Sequence, residues 1–561
     1  MLRSRYLPVF AGAAIALALL VGKVRDADSA SDDTQQLRKI EEAYRYITQA
    51  YVDRVDSSKL AEDAIEGMLA GLDPHSVYIS TAEMRSVRES FNASFEGIGI
   101  YYEFVEGRGD RDTLVVLMPI AGGPSDEAGL MAGDRILEIG DTTAVGFDTE
   151  LVQRYLKGPR GTSVGLVVKR PGYREPLRFS ITRDQIPLHT VIASYMVDER
   201  TGYVRLQRFA RTSHDEVRDA IETLRRQGME RLVFDLRGNA GGLLDQAYEI
   251  ADEFLPAGDM IVYTNSRHPE NRRQYRATRG GAFESDPVIV LIDENSASAS
   301  EIVAGALQDH DRGFLVGRRT FGKGLVQQQF PLSDGSVLQM TVSQYFTPSG
   351  RLIQTPYDIG EDEEAYFATK TRIREAVEQR VAPNGGLVDG GALRGDVPDS
   401  LVFQTDGGRT VYGGGGILPD FLVVQDSLPP ALRTVIGRSL DDQFARQFVD
   451  RPGFRQEWTD RRTEFVRSFR LDDAGFAAFL TFADAHGVPV VDRRPSSTDE
   501  AVLVRSEAEA ARAQIQTRIK AFMARRLYDA EAFYPVVGSM DPVLIEALRL
   551  WDQADALVAR R

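Results

Sequence analysis

The chain has 561 residues, 67 basic and 83 acidic side chains, a net charge of −16, and no cysteine; 43% of it is hydrophobic and 27% charged. This is the composition of an ordinary globular protein of about three to four domains, and it excludes global disorder and a polytopic membrane protein. The acidic balance argues against nucleic-acid binding, which needs clustered Lys and Arg. Absent cysteine excludes disulfides, Cys-ligated zinc, thiol catalysis and a lipid anchor on an N-terminal Cys.

Arg3 and Arg5 precede an uncharged stretch from Tyr6 to Gly22. Basic residues before an apolar run are an export signature, because the basic end stays cytoplasmic. The stretch suits either a cleaved signal or an uncleaved anchor, with 31–36 as a polar linker, and the remainder has no second such run. From Leu37 to about Met84 the pattern is helical, with Ile40, Ala43, Tyr44, Ile47 and Tyr51 on one face. A second helix is expected over Ser58–Leu72, stopped by Asp73-Pro74.

Between Phe95 and Arg183 short β-type runs alternate with glycines: 114–118, 135–139 and 164–168, interrupted by a helix over 148–156. Between Gly202 and about Gln425 strands and helices alternate: strand 231–236, helix 243–254, strand 287–293, helix 298–308, strand 314–317. Such alternation predicts an α/β layer with a partly parallel sheet. A hairpin-like stretch, Val337–Val342, ends at Thr347-Pro-Ser-Gly350. Residues 360–400 are charged and then glycine-rich, and much of the stretch reads as loop. The last part, 427–561, reads as charged helices, most clearly over Ala508–Arg526.

Several chemistries are excluded by missing motifs: H-E-x-x-H, G-x-x-x-x-G-K-[ST] and S-x-x-K are all absent. The six histidines, at 75, 189, 214, 268, 310 and 486, show no metal-ligand spacing. His310 stands beside Asp309, but neighbours on a helix point to different faces, so a triad is not expected.

The informative segment is Pro287–Phe330. An apolar strand, Val288–Ile292, leads through Asp293-Glu-Asn295 into Ser296-Ala-Ser-Ala-Ser300 and a helix. A serine at a strand-to-helix junction is exposed at a sheet edge, where the helix N-terminus favours developing negative charge. Taken alone, these serines read as helix caps, although three exceed what a cap needs. Downstream, Thr320-Phe-Gly-Lys-Gly324 sets one lysine between glycines. By itself this reads as an exposed turn; alternatively, a desolvated lysine can act as the base for a serine that lacks a usable His.

Glu294–Ile302, Ala304–Asp309 and Val316–Gly324 together resemble the C-terminal processing peptidases, or tail-specific proteases, which are serine proteases with a Ser-Lys dyad. Phe234-Asp-Leu-Arg-Gly-Asn-Ala-Gly-Gly242 also matches, with Ala240 where the family usually has Pro. So do Leu72–Ser76, Gly415–Asp420 and the 95–183 region, which looks like a PDZ module. The resemblance covers about residues 37–425. It implies a helical segment at 37–94, a PDZ-like β-rich domain at 95–183 and an α/β serine-protease core at 184–425; with the signal or anchor plus linker read at 1–36 and the helical extension read at 426–561, where the chain departs from a minimal family member, the expected fold is α/β multidomain.

Carried over by residue, the resemblance puts the nucleophile at Ser298 and the general base at Lys323, 25 residues on, which is the family spacing. Gln327, read as one helical turn beyond the lysine, would orient it. The oxyanion hole would use the amide of Ala299 and one from the Gly241-Gly242 pair, with Gly241 preferred. No metal or cofactor is implied, and activity is expected to fall on the acid side as the lysine protonates. Gly97-Ile98-Gly99-Ile100 resembles the PDZ loop that receives a terminal carboxylate, and the next strand would pair with the tail. Leu151 and Tyr155 should face the groove, favouring an apolar C-terminal side chain. Arg170 matches a hinge arginine that couples tail binding to the active site in some relatives.

The expected protein is thus an exported serine endopeptidase, periplasmic or tethered to the inner membrane, whose partners are proteins with accessible apolar C-termini. The other reading is a catalytically silent PDZ scaffold, against which intact Ser298, Lys323 and Gln327 argue. The extension at 426–561 carries no readable motif; dimerisation, docking of an adaptor and shielding of the active site all stay open for it.

Overall fold

The computed structural model describes residues 33–559, except 106–112, 121, 171, 361–362, 383, 389–390, 392, 394–396, 425–427 and 496–500. The export-type segment at 1–30 lies outside the described residues. Among the described residues no helix is long and apolar enough to cross a membrane. The chain forms two compact units.

The first unit comprises 33–80, 329–340 and 357–363. Its helices span 33–50 and Ser57–Leu69; Asp56 caps the second by accepting from the amides of Ser58 and Lys59. That helix ends before Asp73-Pro74, where the Asp73 carboxylate accepts from the His75 amide (3.0 Å) and the Ser76 hydroxyl (2.6 Å). This Asx turn delivers the chain into strand Val77–Ile79, antiparallel to Val337–Gln339.

The second unit holds the rest. A six-stranded antiparallel sheet contains Ile100–Val105, Thr113–Pro119, Arg135–Ile139 with Thr142–Thr143 beside it, Ser163–Lys169 and Leu177–Thr182. Helix Thr149–Leu156 packs on it through Val152 and Leu156, and Asp148 caps that helix on the Leu151 amide. Ile100–Val105 is an edge strand. Its Ile100, Tyr102 and Phe104 pack on the domain core, as period-two alternation requires, whereas Glu103 accepts two hydrogen bonds from Arg526 of the C-terminal helices (3.2 and 2.9 Å).

The α/β core is a seven-stranded sheet in the order Val191–Met196, Thr201–Leu206, Arg231–Asp235, Val288–Ile292, Gly313–Gly317, Phe421–Leu422, Gly386–Leu387. The pairings are parallel except at the two ends. Val288–Ile292 is buried at every residue, as a central parallel strand covered on both faces must be. On one face Leu232, Phe234, Val288, Val290, Ile292 and Leu315 pack with helices Ser213–Arg226, Leu244–Asp252 and Ala299–Asp309. On the other, Val233, Ile289, Leu291, Phe314 and Val316 are covered by Leu544, Leu550, Trp551 and Leu557.

That second cover comes from the C-terminal extension, whose helices Pro542–Ala547 and Trp551–Val558 are therefore part of the core layer. The rest of the extension has its own centre, built on Phe444, Phe465, Phe476 and Phe479. The helix expected over Ala508–Arg526 is broken at Ala511 into Arg505–Ala510 and Arg512–Leu527. Within the 360–400 stretch, much of which reads as loop, stands the helix Glu363–Val381. There Tyr366, Ile373 and Val377 recur at helical spacing, but Lys370 takes the place between Tyr366 and Ile373 and hides the pattern from an apolar count.

Candidate active site

Strand Val288–Ile292 ends at the sheet edge, and helix Ala299–Asp309 begins with Ser298 as its N-cap. Ser298 has φ 55° and ψ −110°, a left-handed conformation that costs a non-glycine residue roughly 1–3 kcal/mol. The surroundings enforce it. The Ser296 hydroxyl, fully buried, donates to the Leu236 carbonyl (2.9 Å), and that of Ser300, also fully buried, donates to the Asn239 carbonyl (2.8 Å). The three alternating serines thus divide: two staple the turn to the Leu236–Asn239 loop, and only Ser298 keeps partial exposure.

Gly241 lies against this turn. A Cβ placed on it would stand 2.9 Å from Ser298 Cβ and 2.7 Å from the Ala297 carbonyl oxygen. Gly242, at φ 149°, has no room either, since a Cβ there would meet the Phe209 carbonyl at 2.0 Å. The Gly241 amide is turned away and donates to Asn239 Oδ1 (2.9 Å). Of the pair it is Gly242 whose amide is unengaged among the described residues, as is that of Ala299 in the first helical turn.

Lys323 lies in the Gly322–Gly324 loop and directs Nζ to Gln327 Oε1 at 2.9 Å. The two are not one helical turn apart, because Gln327 belongs to strand Leu325–Pro331; two long side chains span the gap instead. Two buried groups that sequence reasoning left without a role bind the Ser298 and Lys323 segments together. The Glu301 carboxylate accepts from the amides of Ser298 (2.8 Å), Gly322 (2.7 Å) and Lys323 (2.9 Å) and from the Thr320 hydroxyl (2.6 Å). The Tyr345 hydroxyl lies 3.0 Å from the Ser298 carbonyl oxygen and 2.5 Å from that of Lys323. Glu301 had a local signal, since it sits three residues after the N-cap where a capping acid belongs. Tyr345 had none.

Burial pushes the Glu301 carboxyl up to about 7, against the pull of its four donors. Between its ordinary range near 4.5 and about 7 the folded chain holds a proton that the unfolded chain releases, so this group's contribution to stability falls as pH rises through that window. The stability of the wild type relative to Glu301→Gln should therefore decline from pH 5 to pH 8, as read by thermal denaturation; a difference independent of pH would contradict this.

Phe321 is covered by helix Glu363–Val381: the Phe367 ring meets it edge-on at 6.2 Å, and Lys370 Nζ lies 2.7 Å from its centroid. Burial pushes the Lys370 amine down to about 8. His310 is at the far end of the nucleophile helix, with Nδ1 on Asp406 and Nε2 on the Met260 carbonyl oxygen (both 2.6 Å), so it has no part near Ser298.

The structure therefore brings Ser298, Ala299, Gly241, Lys323 and Gln327 together. The other predicted residues form a second cluster in the PDZ-like domain. Gly97 closes a short strand, and the carbonyls of Ile98 and Gly99 turn inward to accept from Ser125 and Ile120. Ile100 opens the edge strand, and Leu151 and Tyr155 are half-buried on the facing helix. Tyr102, unremarked in the sequence, lies on that strand beside Thr149 and Gln153 of the helix. Arg170 is held within the domain by Asp134 (2.8 and 2.7 Å) and the Gly129 carbonyl (2.8 Å).

Comparison with known proteins gives three matches along the chain: peptidase family S41 over residues 200–364, a PDZ domain over 115–170, and the N-terminal domain of the activating protease CtpB over 18–82. A carboxy-terminal-processing protease of Bartonella bacilliformis is 38% identical over 324 residues, covering 57% of this chain and 73% of the relative. The carboxy-terminal processing protease CtpB of Bacillus subtilis is 35% identical, covering 58% and 67%. A carboxyl-terminal-processing protease of a Picosynechococcus strain is 34% identical, covering 62% and 87%.

Proposed function

As the chain belongs to the carboxy-terminal processing proteases of peptidase family S41, we propose that this serine-type peptidase is an endopeptidase that reads protein C-termini through its PDZ domain and cleaves with Ser298 and Lys323. The observation that carries the reading is the double clamp of Glu301 and Tyr345, which fixes a strained serine and a lysine relative to each other. Gln327 Oε1 accepts one Nζ hydrogen and so aims the amine.

Neutral Lys323 takes the proton from Ser298 Oγ as that oxygen adds to a peptide carbonyl. The resulting oxyanion receives the amides of Ala299 and Gly242, which we take as the second donor in place of Gly241, whose N–H serves Asn239. Two such donors are worth several kcal/mol of transition-state stabilisation, at about 2.7–4 kcal/mol for one. The Lys323 ammonium then protonates the leaving amine, the C–N bond breaks, and the acyl group remains on Ser298. Water adds to the ester with Lys323 again as base, releasing the acid and restoring the serine.

The tail would add to the free edge of Ile100–Val105, its carboxylate at Gly97–Ile100 and its last side chain against Leu151 and Tyr155. The basic-then-apolar start of the chain supports export, and we place the protease in the periplasm, tethered to the inner membrane if that segment is uncleaved. The test is cleavage of a denatured protein with an apolar C-terminus, offered with its carboxylate free or amidated. Amidation is expected to lower kcat/KM at least about tenfold, the loss of one charge-assisted carboxylate contact; equal cleavage of both forms would refute tail reading.

A further inference from the structure

The Phe234–Gly242 segment that lies against Ser298 is anchored from outside the S41 region. Arg237, two residues before Asn239 and largely buried, donates Nη1 to Asp541 Oδ1 (3.0 Å) and Nη2 to Asp541 Oδ2 (2.6 Å). Its remaining edge is held by Asp235, through Nε (2.9 Å) and Nη2 (2.6 Å). Asp541 belongs to the C-terminal extension, 304 residues away along the chain.

Asp541 is itself fixed. It caps helix Pro542–Ala547 by accepting from the amides of Val543 (3.0 Å) and Leu544 (3.3 Å), and that helix is seated on the sheet through Leu544 and Ala547. A planar guanidinium held bidentately from two sides cannot slide or rotate, which is the geometry that suits Arg to positioning.

What Arg237 anchors is short and close-coupled to the nucleophile. Gly238 donates to Asp293 (2.9 Å). The Asn239 carbonyl accepts from the Ala297 amide (3.0 Å) and the Ser300 hydroxyl (2.8 Å), one on each side of Ser298. The Asn239 side chain turns the Gly241 amide aside, leaving Gly242 to face outward. A shift at Arg237 is thus passed through two residues to both flanks of the nucleophile and to the second oxyanion donor.

The structure assigns to Asp541 the role of a positioning residue: through Arg237 it holds the loop that sets Ser298 and the Gly242 amide, so the end of the C-terminal extension takes part in organising the active site. This rests on the Ser298–Lys323 reading above. It also gives that part of the extension a role in the reaction, acting through another residue and without touching substrate.

The test separates helix capping from positioning. Serine is a good N-cap but is too short to reach Arg237, so Asp541→Ser keeps the first function and loses the second. Asp541→Asn keeps the shape and removes the charge. With a tail-bearing peptide, at a temperature where circular dichroism shows each variant folded, Asp541→Ser is expected to lower kcat about tenfold and Asp541→Asn about threefold, as small misplacements of reacting groups do, with KM within about twofold of wild type. The rate of Ser298 acylation by a fluorophosphonate should fall in parallel. Normal kcat in both variants, even with a lower melting temperature, would overturn the proposal and leave Asp541 a structural staple, as would a change confined to KM. Ser298→Ala is run alongside: if it keeps wild-type turnover, the reading beneath the proposal fails, whatever the Asp541 variants do.

Discussion

Ser298→Ala and Lys323→Ala are each expected to reduce turnover at least about 10⁴-fold, with binding of a C-terminal peptide to the PDZ domain unchanged. Both substitutions leave the scaffold in place. Ser298 is held in its left-handed conformation by backbone and neighbouring groups: its amide on Glu301, its carbonyl near Tyr345, and Ser296 and Ser300 stapled on either side. Alanine can occupy the same strained position, so what is removed is Oγ alone. Likewise the Lys323 amide stays on Glu301 when the side chain is cut back, and only the amine aimed by Gln327 is lost. Steady-state kinetics together with isothermal titration of the tail peptide check both halves. A variant that retained more than about a hundredth of wild-type turnover would contradict the assigned roles.

Truncation before Asp541 is expected to give a protein that is insoluble or lacks a cooperative unfolding transition, with no protease activity. The lost residues include Leu544, Leu550, Trp551 and Leu557, which pack on one face of the central sheet. At roughly 1.5–3 kcal/mol for each large side chain taken from water, their removal, with the exposure of Val233, Ile289, Leu291, Phe314 and Val316, exceeds a typical stability of about 5–15 kcal/mol. Circular dichroism, thermal melting and size exclusion read the outcome. A folded, active truncation would show that these helices are dispensable and would contradict the architecture described above.

Much of the fold is legible because its signals are local. Val288–Ile292 followed by a small-residue turn and a helix announces a strand–turn–helix unit, and the glycines around Lys323 mark a tight loop. The three serines show where local reading stops: spacing alone makes them equivalent, and only the position of the Leu236–Asn239 loop separates two staples from one partly exposed hydroxyl. The choice within Gly241-Gly242 turned on which amide Asn239 captures, a side-chain hydrogen bond with no sequence signature. Helix Glu363–Val381 was obscured because Lys370 stands among its apolar positions, where it carries its amine over the Phe321 ring. Asp541 and Tyr345 reach their partners across 304 and 47 residues, and no periodicity carries information over such distances.

The most direct test of the account is covalent labelling. The purified protein is treated with a fluorophosphonate at pH 8, digested, and mapped by mass spectrometry, in parallel with Lys323→Ala. The account predicts one adduct, on Ser298, formed by the wild type and slowed at least about a hundredfold in Lys323→Ala, the scale of general-base assistance. Labelling of any other serine in preference to Ser298, or equal rates of Ser298 labelling with and without the lysine, would contradict it.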